Sequence, residues 1–540
     1  MKKHPLLLNV LVGLLLFSCS QEEEDQLPLF NNDEHIVLNT STDLNSRVKK
    51  DGIGVVGIIS KNNPTGKYMK SGDSKIPGSW PIEMIGQINL PKFEGNTLHL
   101  TGIDIFDNHA FITYKGDDNL YLGAIEILDL SSQSQPKIMS QAIFTNASLN
   151  DVKYSQGKLY IPATFNMDSD PKLKSRANII TVSTSNGVFS GDFRIDPLKG
   201  EHATGVSVSD NHIITSSSNK GIISLLNKSN SAIVKEMDFP DLKQVVYASN
   251  RIVALNEKGE ISLLDPNSLN IIKTIKMGGH LPLSIEAHNG LLYVSEGSLG
   301  STVYDLSSAN QMTKLNIPQK DPNNKAHSTQ HISSNDKLLL MANGAAGMSI
   351  FELKHNHVIE ELGNLELKAT PDMVKTSNQY IIASSKKSGT HILRINTTHQ
   401  INDNGCAGLK AYDDCSWIIV KANRPQAYSG ITAADGLEVS DQLTYCGSLS
   451  IKNFISVHPK GSFNMRGNLT VGSFGRNTGM IINERFTVEG NVVIYGNLFI
   501  NKNAKIEFLG DDSKITVHGK VTKQDGHSIK GKFNDTEGKF

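Results

Sequence analysis

Four histidines stand at a recurring distance ahead of β-branched segments: His99 before Ile103, His202 before Val206, His280 before Ile285 and His327 before Ile332, at offsets of 4, 4, 5 and 5 residues. Imidazoles gathered in one place could bind a divalent metal such as zinc or manganese. The same repetition is also what copies of one unit would inherit, so a structural role competes with ligation. A second candidate is Asn166-Met167-Asp168-Ser169-Asp170, with oxygen-bearing side chains at alternate positions. It lacks the glycine and closing glutamate of an EF-hand and reads better as a solvated loop. No Gly-x-Ser-x-Gly, phosphate-binding loop or His-Glu-x-x-His occurs. Besides Cys19, cysteines stand at 406, 415 and 446. Cys406 and Cys415 are closest in sequence and make the first candidate disulfide, although sequence alone leaves the pairing open. Absence of Cys-x-x-Cys spacing disfavours a zinc site.

These residues must be positioned by strands. A β-branched-rich strand, a polar Asn/Asp/Gly turn and a second apolar strand recur seven times. Their second strands begin at 110, 159, 213, 252, 291, 338 and 380, so the copies lie 39 to 54 residues apart. Ala124-Ile125-Glu126-Ile127-Leu128-Asp129-Leu130 is typical of the third strand, and Ile271-Ile272-Lys273-Thr274-Ile275 of the fourth. Four strands at this period form a propeller blade. The seventh copy lacks a fourth strand, whereas residues 82–91 look like a fourth strand without a blade. Together they would close a ring and remove its exposed edges. The expected fold class is therefore all-β: a seven-bladed β-propeller over 82–398, a linker over 399–416, and a small C-terminal β-solenoid over 417–520. The solenoid is suggested by Gly-punctuated strands such as Gly467-Asn468-Leu469-Thr470-Val471. A β-sandwich is the alternative for that last domain. Residues 521–540 read as a frayed polar tail.

Residues 1–18 form a secretory signal, with Lys2 and Lys3 ahead of an apolar core too short to span a bilayer. The core ends in Leu16-Phe17-Ser18-Cys19, which resembles a lipobox, the site whose cysteine becomes the lipidated N-terminus; Phe17 is bulkier than usual there. Residues 19–80 are expected to be a lipidated polar tether with a single candidate strand at 54–60. The run Glu22-Glu23-Glu24-Asp25 resembles the acidic export signal of Bacteroidetes surface lipoproteins, which implies the outer face of the outer membrane.

The repeats, with turns such as Asp107-Asn108 and Asn289-Gly290 and endings such as Leu128-Asp129-Leu130-Ser131, resemble the LVIVD-repeat propellers of bacterial surface proteins. That likeness implies a fold and no single activity. Lys+Arg is 53 and Asp+Glu 54, so the chain lacks the basic footprint that nucleic acid requires. The expected partners are the membrane, through the anchor, and a protein or polysaccharide ligand, with no cofactor. The expected role is adhesion or accessory service in polysaccharide uptake, without catalysis. Some seven-bladed polysaccharide lyases resemble this chain in carrying a His-rich site. The competing expectation is thus a metal-dependent lyase using His99, His202, His280 and His327, the metal polarising a uronate carboxylate while a base takes the adjacent proton.

Overall fold

The computed structural model describes residues 34–59, 80–117, 120–132, 135–219, 221–277, 283–317, 327–367, 369–385, 389–396, 406–412 and 417–540. Cys19, His280 and Cys415 lie outside these residues. Seven antiparallel sheets follow one another along the chain as the blades of a propeller. In the first, His99–Phe106, His109–Lys115, Gly123–Asp129 and Lys137–Phe144 run from the axis to the rim. Buried Ile103, Ile112 and Ile125 mark its packed interior. Tight turns join the two inner strands. Asn289 and Gly290 both hold positive φ (48° and 77°), the geometry that suits a two-residue hairpin.

The seventh blade is assembled from both ends of the propeller. Met373–Thr376, Tyr380–Ser385 and Gly389–Ile395 are followed outward by Ile82–Ile88, with Thr390 opposite Ile88 and Ile395 opposite Ile82.

Residues 34–59 depart from the expected tether. Ile36–Asn39 adds a fifth strand to blade one, against Phe144 to Gln141. Val48–Lys49 and Gly54–Val56 both pair with Ile82–Ile88 on blade seven. Ile58–Ile59 pairs with the outer strand of blade six. The segment is a strap that visits blades one, seven and six in turn. Its apolar residues are too sparse for a period to show in the sequence, yet Leu44, Val48 and Ile53 are buried. Arg47 in the strap reaches the fully buried Glu126 of blade one, which also accepts from Tyr114 Oη at 3.0 Å and from Gln141.

The C-terminal domain is a β-solenoid, not a sandwich: its successive coils pair in parallel. Leu443, Phe463, Phe486 and Ile506 stack as one buried column through four coils. Residues 521–540 do not fray. Val521–Lys523, Ser528–Lys530 and Asn534–Asp535 add a last coil, and Phe533 stacks on Phe508 at 4.2 Å between ring centres. The polar composition of this stretch hides the few apolar residues that a single terminal coil needs.

The disulfide is also corrected. Cys406 bonds Cys446, not Cys415, with Cα atoms 5.9 Å apart across 40 residues. Coiling is the reason: Ser429 lies in register with Cys446, and Ala411 bridges to Ser429, so neighbours in space are a coil apart in sequence.

Candidate functional site

The inner strands of the seven blades line the axis, so one side chain from each position of the repeat points there. The residue after the first buried aliphatic is Asp104 in blade one, Lys153 in blade two, Glu286 in blade five and Lys375 in blade seven. Lys153 Nζ lies 3.5 Å from Asp104 Oδ1, and Lys375 Nζ lies 2.7 Å from Glu286 Oε1. The second contact joins blades that are not neighbours, which requires it to cross the channel. Burial alone would raise the Glu286 carboxyl, but Lys375 and Lys153 outweigh it and hold it below its ordinary value. Burial alone would lower the Lys153 ammonium, but Asp104 and Asp151 outweigh it and raise its pKa. His331 of blade six joins the cluster, and burial lowers it to about 4, so it is neutral near pH 7. Carboxylates and ammonium groups thus pair across the inner strands.

Acceptors along the inner edge also hook one blade to the next at five of the junctions. Asp104 Oδ2 accepts from Tyr154 N at 2.8 Å, Asp151 Oδ2 from Val206 N at 3.2 Å, and Ser207 Oγ from Tyr247 N at 2.9 Å. Gln244 Oε1 and Ser333 Oγ continue the series, accepting from Ile285 N and Thr376 N. Asp151 occupies a gap between Ala147–Leu149 and Lys153–Ser155, so blade two gives up inner-strand pairing at the point where it hooks blade three.

At the end where the inner strands begin, blades one to three and Met373 of blade seven form a hollow of about 670 Å³. Its polar wall includes Lys115, Asp117, Ser148, Asn150, His202 and Thr204, while Leu100 and Tyr121 supply apolar surface. The hydroxyl-and-amide wall can hydrogen-bond a polar ligand, and the apolar side can cover its carbon skeleton.

His99, His202 and His327, the three described members of the histidine series, are not assembled into a metal centre. His99, His202 and His327 each begin an inner strand, in blades one, three and six. His99 Nε2 stands 3.3 Å from Asp117 Oδ1. His202 lines the hollow. No group of three or more His, Cys, Asp or Glu among the described residues is placed to hold a metal ion. The loop at Asn166 turns its side chains inward: Asn166 Oδ1 accepts from Asp168 N, and Asp170 Oδ1 from Lys172 N.

No family model matches this chain, and no curated protein does. Among solved structures, the Pan2 WD40 domain of Neurospora crassa is similar over 56% of this chain and 90% of its own, at 13% identity and a TM-score of 0.42. A catalytically inactive variant of virginiamycin B lyase from Staphylococcus aureus, in a structure with quinupristin, is similar over 57% of this chain and 98% of its own, at 15% identity and a TM-score of 0.42. At such identities the likeness concerns fold alone, and the strand pairing described above defines the class: a seven-bladed β-propeller carrying a C-terminal β-solenoid.

Proposed function

We propose that this chain is an exported surface lipoprotein of the LVIVD-repeat kind, anchored through Cys19 to the outer membrane. In this reading its propeller presents a binding face to a protein or glycan. The observation that carries the reading is the hollow at the channel mouth, with polar and apolar walls contributed by several blades. Inner strands hooked to one another hold such a face in a fixed shape, which lowers the ordering cost of binding. The Cys406–Cys446 disulfide supports an oxidising, extracytoplasmic compartment.

Two experiments test the two halves of the proposal. In cell fractionation, Cys19→Ala is expected to move the protein from the membrane fraction to the soluble one; unchanged retention would remove the lipid anchor from the account. His202→Trp fills the mouth from an exposed position. In affinity electrophoresis through gels carrying uronic-acid polysaccharides, retardation of the full chain should fall at least fivefold, with an unchanged melting temperature. Full retention of binding would place recognition on another face.

A further inference from the structure

We propose that the junction between solenoid and propeller is a second binding site, a trough for a neutral, hydroxyl-rich glycan chain. Two hollows, of about 230 and 570 Å³, share Asn468 and Asn491 as common wall. The first is completed by blade-seven residues, Gln379 and Arg394 among them; the second runs on along the solenoid past Gly490 and Asp511.

The solenoid builds this trough by repetition. Asn468 and Asn491 occupy the same place in consecutive coils, as do Arg466 and Glu489, and between these two columns lie Gly467 and Gly490. Parallel strands repeat every ~4.8 Å, so each column offers one hydrogen-bonding group per coil, a spacing close to one hexopyranose unit in an extended chain. The glycine column is obligatory. Gly490 has φ +131°, and a Cβ there would lie 2.2 Å from the carbonyl oxygen of Gly467. The floor is therefore bare backbone between two polar walls.

The asparagine wall continues across the junction. Asn491 Nδ2 donates to Asn468 Oδ1 at 3.1 Å, Asn468 Nδ2 to Asn396 Oδ1 at 3.4 Å, and Asn396 Nδ2 to Thr470 Oγ1 at 3.0 Å. Amides fixed this way are pre-oriented for a ligand, which lowers the ordering cost of binding. An independent feature lies in the opposite wall: Arg466 Nη1 is enclosed and makes no hydrogen bond among the described residues. An enclosed donor without an acceptor is costly and marks a place where a ligand oxygen would be favoured. Three basic and four acidic side chains line the two hollows together, a near balance that favours an uncharged ligand over a polyanion. Tyr380, the one aromatic residue in the lining, is 4% exposed and bonded through its hydroxyl to Asn108, so recognition rests on hydrogen bonds and not on ring stacking.

The test is calorimetric titration of the full chain with cellohexaose, mannohexaose and xylohexaose, with hexagalacturonate as the charged comparator. At least one neutral hexaose is expected to bind. Gln379→Ala on the propeller side and Asp511→Leu on the solenoid side should each weaken it at least fivefold; both positions are exposed, so neither change threatens folding. Because His202→Trp fills the separate mouth hollow, the same titrations on that variant report the trough alone. The proposal is overturned if no neutral hexaose binds the His202→Trp chain, if hexagalacturonate binds that chain more tightly, or if neither trough variant changes the affinity.

Discussion

Arg394→Met is expected to lower the stability of the full chain by about 3–5 kcal/mol at pH 7, the usual cost of stripping one partner from a buried ion pair. Glu83 is 2% exposed, on the strand that closes blade seven. Its Oε1 faces Arg394 Nη1 at 3.3 Å, and its Oε2 accepts from Tyr495 Oη of the solenoid at 3.1 Å. Arg394 also donates to the carbonyl oxygens of Leu130 and Ser132. One carboxylate therefore ties together the ring closure, blade one and the solenoid. Burial already raises the Glu83 carboxyl above 4.5 against the opposing pull of Arg394, and removing the guanidinium raises it further. The folded chain then holds a proton that the unfolded chain releases. Stability of the variant rises as pH falls through the raised value toward 4.5 and drops as pH climbs back. Urea denaturation at pH 7 and about pH 4.5 should show the deficit shrinking on acidification. Glu83→Gln combined with Arg394→Met should recover much of the loss at pH 7, because no charge is then left buried. A pH-independent deficit, or no rescue, would contradict this account of the clasp.

Gly54→Val is expected to uncouple the two domains. Gly54 holds φ +138°, and a Cβ there would lie 2.5 Å from both Gly472 O and Ser473 Cα, backbone atoms with nowhere to go. At that point the strap is squeezed between the solenoid and blade seven. Val55 N donates to Gly472 O at 3.0 Å, and Phe474 N to Ile53 O at 2.8 Å. Backbone strain of about 1–3 kcal/mol adds to the steric clash, and Ile53 then leaves its buried contact with Val493 and Tyr495. Hydrogen exchange at Val55 and Phe474 should accelerate at least tenfold. The melting profile should separate into two transitions where the unaltered chain shows one. Unchanged exchange at both amides would show that the strap does not join the domains.

The propeller is legible in the sequence because each blade supplies its own signal: two strands, a turn residue suited to positive φ, and a regular return distance. Closure by residues 82–91 can be read from a missing strand at one end and a spare one at the other. The strap cannot be read in the same way. It borrows partners from completed blades, so short pieces such as Ile36–Asn39 and Val48–Lys49 carry too few alternating residues to stand out; the candidate strand at 54–60 alone shows, where Gly54–Val56 and Ile58–Ile59 lie. The disulfide escapes a linear reading because a coil places Cys446 beside Cys406, and distance along the chain says nothing of that. At the site, the histidines at the strand entrances are conspicuous, although the repeat itself holds a sharper signal. A lone charge inside an otherwise apolar inner strand, as in Ile103-Asp104-Ile105, Ile285-Glu286-Ala287 and Val374-Lys375, is costly unless it faces the axis and finds a partner there. Aligning the copies by that position exposes the charged cluster.

The central claim, that the hollow at the channel mouth is the recognition face, is tested most directly by photo-crosslinking on intact cells. A benzophenone-bearing phenylalanine analogue would replace Tyr121 in the hollow's wall or, as a control, Val358 on the rim of blade six, which is 55% exposed. The account predicts a discrete, saturable adduct from position 121 that disappears with His202→Trp, and none from position 358. Equal adducts from both positions, or no adduct from position 121, would contradict it.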